Sequence, residues 1–155
     1  MTERLLNDQV VGQIREAFQN LKEPVEILFF GKKEDCDYCD DTLKLAQEIA
    51  DISELLSLKV YDLDSDAEIA GKYRVDKAPG IVLLGRDARK TGKIGGESQD
   101  YGVRFAGIPS GYEFSSFIQD LLLVSGRDSK LRPETRAFLK ELKQPVLLQV
   151  FVTPT

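Results

Sequence analysis

Val25-Glu26-Ile27-Leu28-Phe29-Phe30-Gly31-Lys32-Lys33-Glu34-Asp35-Cys36-Asp37-Tyr38-Cys39 is the stretch on which the fold turns. Val25 to Phe30 is short, mostly apolar and bounded by Pro24 and Gly31, so it reads as a largely buried strand. The polar loop Lys32 to Asp35 follows. From Cys36 onward, Cys39, Leu43, Ala46 and Ala50 recur at helical spacing with Ile49 alongside, giving a helix to about Leu56. A strand, a loop, a C-x-x-C pair and a helix in that order are the setting in which two cysteines read as a thiol exchange site.

Outward from this unit the pattern alternates. Leu6, Val10, Ile14, Ala17 and Leu21 share one face of an upstream amphipathic helix. Downstream come a strand over Leu58 to Leu63, a short helix over Ala67 to Tyr73 and a strand over Gly80 to Leu84. Tyr101, Val103 and Phe105 alternate as a fourth strand, across the Gly-rich stretch Gly85 to Asp100, and a helix from about Ser110 to Val124 buries Phe114, Phe117 and Leu121. Strands separated by helices imply right-handed parallel crossovers, and the late hairpin adds an antiparallel edge. The expected fold is therefore α/β, a central mixed sheet flanked by helices over residues 1–125.

Residues 126–155 continue differently. Ser125 to Arg132 is a polar linker, Pro133 opens a helix carrying Ala137, Phe138 and Leu142, and Pro145 to Val152 reads as one more strand. Leu21-Lys22-Glu23-Pro24-Val25 and Leu142-Lys143-Gln144-Pro145-Val146 match in type position by position, which suggests a repeat whose second copy is cut short; chance recurrence is the other reading. An unpaired strand here would pair with another chain, pack on the first unit or fray, so a homodimer through it is one expectation.

Composition limits the chemistry. The 155 residues suffice for one core burying roughly 70% of the extended surface, and 42% hydrophobic with 30% charged residues is an ordinary globular balance that excludes disorder. A formal charge of −5 gives no reason to bind nucleic acid. There are no histidines, which removes the usual general base, the Ser-His and Cys-His pairs and imidazole metal sites. Acids in Met1 to Asp8 do not suit a signal peptide, and the apolar runs are too short to cross a bilayer, so a cytoplasmic chain without a membrane partner is expected.

The two cysteines of the chain, Cys36 and Cys39, are then the candidate catalytic residues. At a helix start the first thiol lies over unpaired backbone N–H groups that favour a thiolate, and the second lies one turn further in. Cys36 would attack a substrate disulfide and Cys39 would resolve the mixed disulfide, without histidine and without a bound cofactor. Inert core cysteines, a metal or iron–sulfur cluster held between two chains, and a non-catalytic binding or assembly module are the alternatives; no metal ligand is assigned within one chain.

Three motifs in order, Asp35-Cys36-Asp37-Tyr38-Cys39-Asp40, Tyr73-Arg74-Val75-Asp76-Lys77-Ala78-Pro79, and Tyr101 to Phe114 with Ala106-Gly107-Ile108-Pro109-Ser110-Gly111, resemble the first half of the glutaredoxin-like protein disulfide oxidoreductases. Those proteins have two tandem thioredoxin folds, and Phe151 to Thr155 resembles the stretch ahead of their second C-x-x-C. The resemblance implies a thioredoxin-like fold followed by a linker helix and the start of a truncated second unit. It also implies a cis Pro79 facing the cysteines and substrate contacts at Tyr38, Ala78 and Pro79. Protein disulfides would be the substrates, a flavin-dependent thioredoxin reductase the electron donor and peroxiredoxins further recipients.

Other signals point elsewhere or nowhere. Glu34, Asp35, Asp37, Asp40 and Asp41 outnumber Lys32 and Lys33, a local charge of −3 that opposes a Cys36 thiolate and favours a reducing role. Asp62-Leu63-Asp64-Ser65-Asp66 imitates an EF-hand start, but Ala67 and Tyr73 stand where Gly and Glu are needed. Gly85 to Gly96 lacks a phosphate-loop pattern, and its Arg86, Arg89, Lys90 and Lys93 read as a solvated hairpin tip. Glu26, within a strand, reads as a satisfied edge residue rather than a proton carrier beneath Cys39.

Overall fold

A computed structural model describes residues 4–86 and 98–152. The expected hairpin tip, with Arg89, Lys90, Gly92 and Lys93, and the final Thr153-Pro154-Thr155 lie outside the described residues.

The first helix, α1 (Asp8–Phe18), is shorter than its periodicity. Asn7 caps it, accepting from the Val10 N–H at 2.9 Å, and Leu6 just ahead is buried against the core. Leu21 is also buried, but beyond the helix end, in a turn closed by its own N–H to Phe18 O at 3.1 Å. Periodicity thus marked the apolar face correctly and overran the helix.

Strand β1 (Val25–Gly31) is buried at every position, as a central strand covered on both faces must be. It pairs in parallel with β2 (Leu56–Asp62) and antiparallel with β3 (Gly80–Arg86), which pairs antiparallel with β4 (Ser98–Ala106), giving the order β2-β1-β3-β4. The mixed sheet and its late antiparallel hairpin are as expected, but β3, although it follows α3, runs antiparallel to β1 and not as the parallel crossover that alternating helices and strands implied. Strand β2 starts earlier than expected because Leu56 pairs with Val25, and the helix before it, α2 (Cys39–Ala50), stops correspondingly early. The β3–β4 register shifts between Leu83 and Leu84, where Gly102 takes φ 82°, a backbone bulge in the left-handed region that glycine tolerates.

The two sheet faces divide by parity. Val25, Ile27, Phe29, Ile81 and Leu83 pack with Ile14 and Phe18 of α1, Leu45 and Ile49 of α2, and Phe117 and Leu121 of α4 (Tyr112–Gly126). Leu28, Phe30, Val82 and Leu84 pack with Ala70 of α3 (Ala67–Tyr73). Helix α4 runs past residue 125: Ser125 is fully buried, and Arg127 donates to Pro24 O at 3.0 Å and Arg86 O at 2.6 Å.

Helix α5 (Pro133–Lys140) forms where Pro133 predicted it and buries none of its residues. The strand expected over 145–152 does not form: the segment has neither helix nor strand, with Leu148 85% and Phe151 88% exposed. A strand needs a ladder partner, and none of the four described strands offers one here. Among the described residues no helix is long and apolar enough to cross a membrane.

Candidate active site

Strand β1 delivers the chain to one end of the sheet at Gly31, whose carbonyl accepts the Leu63 N–H at 2.9 Å. Four residues later Asp35, at φ 54°, turns the chain into the cysteine pair. Cys36 and Cys39 are joined as a disulfide with Cα atoms 5.5 Å apart. The helix begins at Cys39 rather than at Cys36, with residues 36–38 forming a turn closed by the Cys39 N–H on Cys36 O at 3.4 Å. The disulfide nevertheless ties the Cys36 sulfur to Cys39, the first residue of α2.

The two sulfurs are not equivalent. Cys39 is buried, 6% exposed, whereas Cys36 is half-buried. The Lys32 backbone N–H points at Cys39 Sγ from 3.4 Å, a main-chain donor to the inner sulfur. Gly31 lies against the Phe29 ring, which a Cβ there would meet at 2.8 Å, while Cys39 Sγ would be 3.6 Å away, at ordinary contact. Thr42, fully buried, donates its hydroxyl to Tyr38 O at 2.6 Å and its N–H to the same oxygen at 3.0 Å, fixing the first turn. None of these contacts shows in side-chain type. Thr42 alone gave a signal, since it falls three residues after Cys39 on the inward face that periodicity assigned to Leu43.

The peptide bond between Ala78 and Pro79 is cis, as the resemblance implied. In the antiparallel β1–β3 register Phe30 faces Gly80, so the Pro79 turn and the loop after Gly31 leave the sheet at the same end. The Gly107 N–H donates to Pro79 O at 2.8 Å and ties the end of β4 to this turn. Pro79 is buried, Ala78 and Cys36 are packed against the same core cluster, and Tyr38 stands 59% exposed beside them. A Cβ on Gly80 would meet Lys77 O at 2.8 Å, which explains glycine directly after the proline.

Around the disulfide, Glu34, Asp35, Asp37, Asp40 and Asp41 are all exposed, and among the described residues none of them makes an ion pair. Lys32 turns away to Asp64 at 3.5 Å. Asp76, ahead of Pro79, has its carboxyl held below the usual value by the Lys77 ammonium hydrogen-bonded to it. The acids expected near Cys36 are therefore exposed and, among the described residues, outside any ion pair, with Lys33 the loop's other exposed cation.

Glu26 is placed differently from its expected role. It is 2% exposed on an interior strand, not an edge, and pairs with Lys59 at 2.9 Å and Arg86 at 3.6 Å. By parity its side chain shares the face of Leu28 and Phe30, opposite the one where Cys39 packs, so it does not reach the sulfurs. The EF-hand-like Asp62 accepts from the Asp64 and Ser65 N–H groups at 3.1 and 2.9 Å. Those N–H groups, Ser65 foremost, hold its carboxyl below its ordinary value in a turn ahead of α3.

No protein-family model matches the chain. Among curated proteins it is 29% identical to the F subunit of alkyl hydroperoxide reductase of Pseudomonas aeruginosa over 128 residues, 82% of this chain and 20% of that protein. It is 25% identical to NADH dehydrogenase of Bacillus subtilis over 151 residues, 97% of this chain and 25% of that protein. The chain thus spans about a fifth to a quarter of the length of these relatives. Among solved structures, a protein disulfide oxidoreductase from Aeropyrum pernix superposes with a TM-score of 0.72 at 27% identity, over 90% of this chain and 57% of that one. The N-terminal domain of alkylhydroperoxide reductase AhpF from Enterococcus faecalis gives 0.72 at 21% identity, over 85% and 58% respectively. The latter likeness is one of fold. The disulfide, set in a fold shared with a protein disulfide oxidoreductase, supports a redox role in general terms. By sheet order, cis-proline turn and these neighbours, the chain is a thioredoxin-fold protein similar to the protein disulfide oxidoreductases and to the N-terminal domain of the alkyl hydroperoxide reductase AhpF.

Proposed function

We propose that the chain is a dithiol–disulfide oxidoreductase that exchanges electrons with protein disulfides through Cys36 and Cys39. The observation that carries this reading is a disulfide with one half-buried and one buried sulfur, at the sheet end where the Ala78–Pro79 turn lies. In the reduced form the Cys36 thiolate attacks a substrate disulfide, forming a mixed disulfide and releasing one substrate thiolate, which takes a proton. The Cys39 thiolate then attacks Cys36 Sγ, the second substrate thiolate leaves, and the protein disulfide seen here results. The substrate gains two electrons and the protein loses two. A dithiol reductant reverses the cycle by attacking Cys36 and expelling Cys39, whose developing charge the Lys32 N–H meets.

Ala78 and Pro79 would pair with an extended substrate segment beside the disulfide, with the Tyr38 ring against it; the small Ala78 side chain leaves this contact undiscriminating. The exchange needs no bound cofactor. The relatives, the F subunit of alkyl hydroperoxide reductase and an NADH dehydrogenase, support a place in a chain that draws electrons from a thioredoxin reductase-type flavoprotein and passes them toward a peroxiredoxin, in a reducing cytoplasm. Reduction of insulin by the parent, Cys36→Ser and Cys39→Ser proteins tests the assignment. Cys36→Ser is expected to abolish turnover and Cys39→Ser to trap a mixed disulfide on Cys36; equal activity in all three sinks the reading.

A further inference from the structure

We propose that an apolar groove built partly on α2, the helix that opens with Cys39, docks a disulfide-bearing polypeptide segment carrying an apolar side chain flanked by lysines or arginines. This rests on the exchange reading and adds to it the class of segment accepted. The groove holds about 370 Å³, and its walls are Leu5, Leu6, Val10, Leu45, Ile108 and Phe114, with Asp41 on the rim.

Two walls extend the redox site itself. Asp41 and Leu45 stand on α2, the helix that opens with Cys39. Ile108 follows Gly107, whose N–H holds the Pro79 carbonyl at 2.8 Å. The third wall is fixed in place: the Leu5 and Leu6 N–H groups donate to the Glu48 carboxylate on α2 at 2.8 and 2.9 Å. An apolar recess therefore shares α2 and the segment after Gly107 with the redox site. Tyr38, 59% exposed, and Tyr112, 77% exposed and next to the groove-lining Gly111, add aromatic surface of the kind enriched at interfaces.

Charge selects the occupant. Asp41 lines the groove, and Glu34, Asp35, Asp37 and Asp40 around the cysteine pair on the same α2 end are exposed and make no ion pair among the described residues; Lys32 is drawn off to Asp64, and Lys33 leaves the stretch net acidic. A cationic flank meets complementary potential and is steered in, whereas an acidic flank is repelled. A second copy of this chain, with a formal charge of −5, would set acids against acids.

Short peptides closed by one disulfide, with a leucine beside the ring and either lysines or glutamates flanking it, test the proposal on the intact parent protein. Hydroxyethyl disulfide, small and neutral, reports exchange without docking. The lysine peptide is expected to be reduced about ten-fold more efficiently in kcat/KM than its glutamate twin at low ionic strength, with the preference collapsing in concentrated salt. Replacing the peptide leucine by serine, or Leu5→Gln in the protein, is expected to lower efficiency toward the lysine peptide about five-fold. Equal rates for the lysine and glutamate peptides, or for the leucine and serine peptides, with hydroxyethyl disulfide still reduced, overturn the groove assignment alone. Failure to reduce any of the disulfides overturns the exchange reading and the docking with it.

Discussion

Replacing Ser125 by alanine removes a buried junction far from the sulfurs. The Ser125 hydroxyl oxygen accepts the Lys22 and Glu23 N–H groups at 2.8 and 3.1 Å and donates to Glu23 O at 2.7 Å, while the residue itself is fully buried. It is the clasp between the C-terminal end of α4 and the turn that feeds β1. Three such bonds contribute about 0.5–1.5 kcal/mol each in net terms, so Ser125→Ala is expected to cost about 1.5–4.5 kcal/mol. At roughly 3 °C per kcal/mol for a domain of this size, the melting temperature falls by about 5–14 °C. Because the clasp sits before Val25 and the disulfide after Gly31, about 20 Å of strand separates them. Exchange with hydroxyethyl disulfide at a temperature where both proteins are folded should therefore be unchanged. Calorimetry or urea unfolding measures the first quantity, and a loss under about 0.5 kcal/mol would refute the clasp as argued. A large change in exchange rate in the folded variant would refute its separation from the site.

Gly80→Ala is expected to cost about 1–3 kcal/mol, since its Cβ would press on Lys77 O and the Val75 side chain at 2.8 Å in a packed turn; wild-type stability in urea would show that the turn relaxes freely. Acid stability follows from Asp100, whose carboxyl is held below its ordinary 3.8 chiefly by the Arg104 guanidinium hydrogen-bonded to it. A depressed folded value means that the pair's contribution is complete above the unfolded value and is lost as pH falls through the folded one. The urea midpoint should decline below about pH 4, and Asp100→Asn should flatten that decline; an unchanged acid limb counts against the pair. Asp120, raised by burial, acts with the opposite sign and should not be pooled with it.

The elements legible in the sequence were those whose signal is local. Val25 to Phe30 announced a buried central strand through unbroken apolar residues, and the short helix Ala67–Tyr73 was bounded as expected. Boundaries failed where a tertiary partner decided them. The helix that spacing carried to Leu56 stops at Ala50 because Leu56 is claimed by Val25 across the sheet. The segment 145–152 failed for the complementary reason: its apolar run states what it would bury, and among the described residues nothing pairs with it, so Val146 and Val152 stay 64% and 83% exposed. Glu26 misled because a charge within an apolar run suggests an edge, whereas Lys59 and Arg86 from the two neighbouring strands supply the counter-charges that let it sit inside.

The candidate site divides along the same line. Its sulfur pair, its proline and its acids are side chains and were visible as such. The asymmetry that would give the pair a direction is not a property of side chains. Cys36 and Cys39 are the same residue type, set apart by burial and by a backbone N–H that belongs to Lys32 only in name. Under the proposed exchange, an incoming thiolate meets the half-buried Cys36 and expels Cys39, whose charge is received by that donor and by the first turn of α2. Attack on Cys39 would have to pass through the core and expel a Cys36 thiolate into a surface where Glu34, Asp35, Asp37, Asp40 and Asp41 stand exposed. Burial and repulsion disfavour the same outcome, so the acidic loop that opposes a Cys36 thiolate in isolation also biases which sulfur leaves.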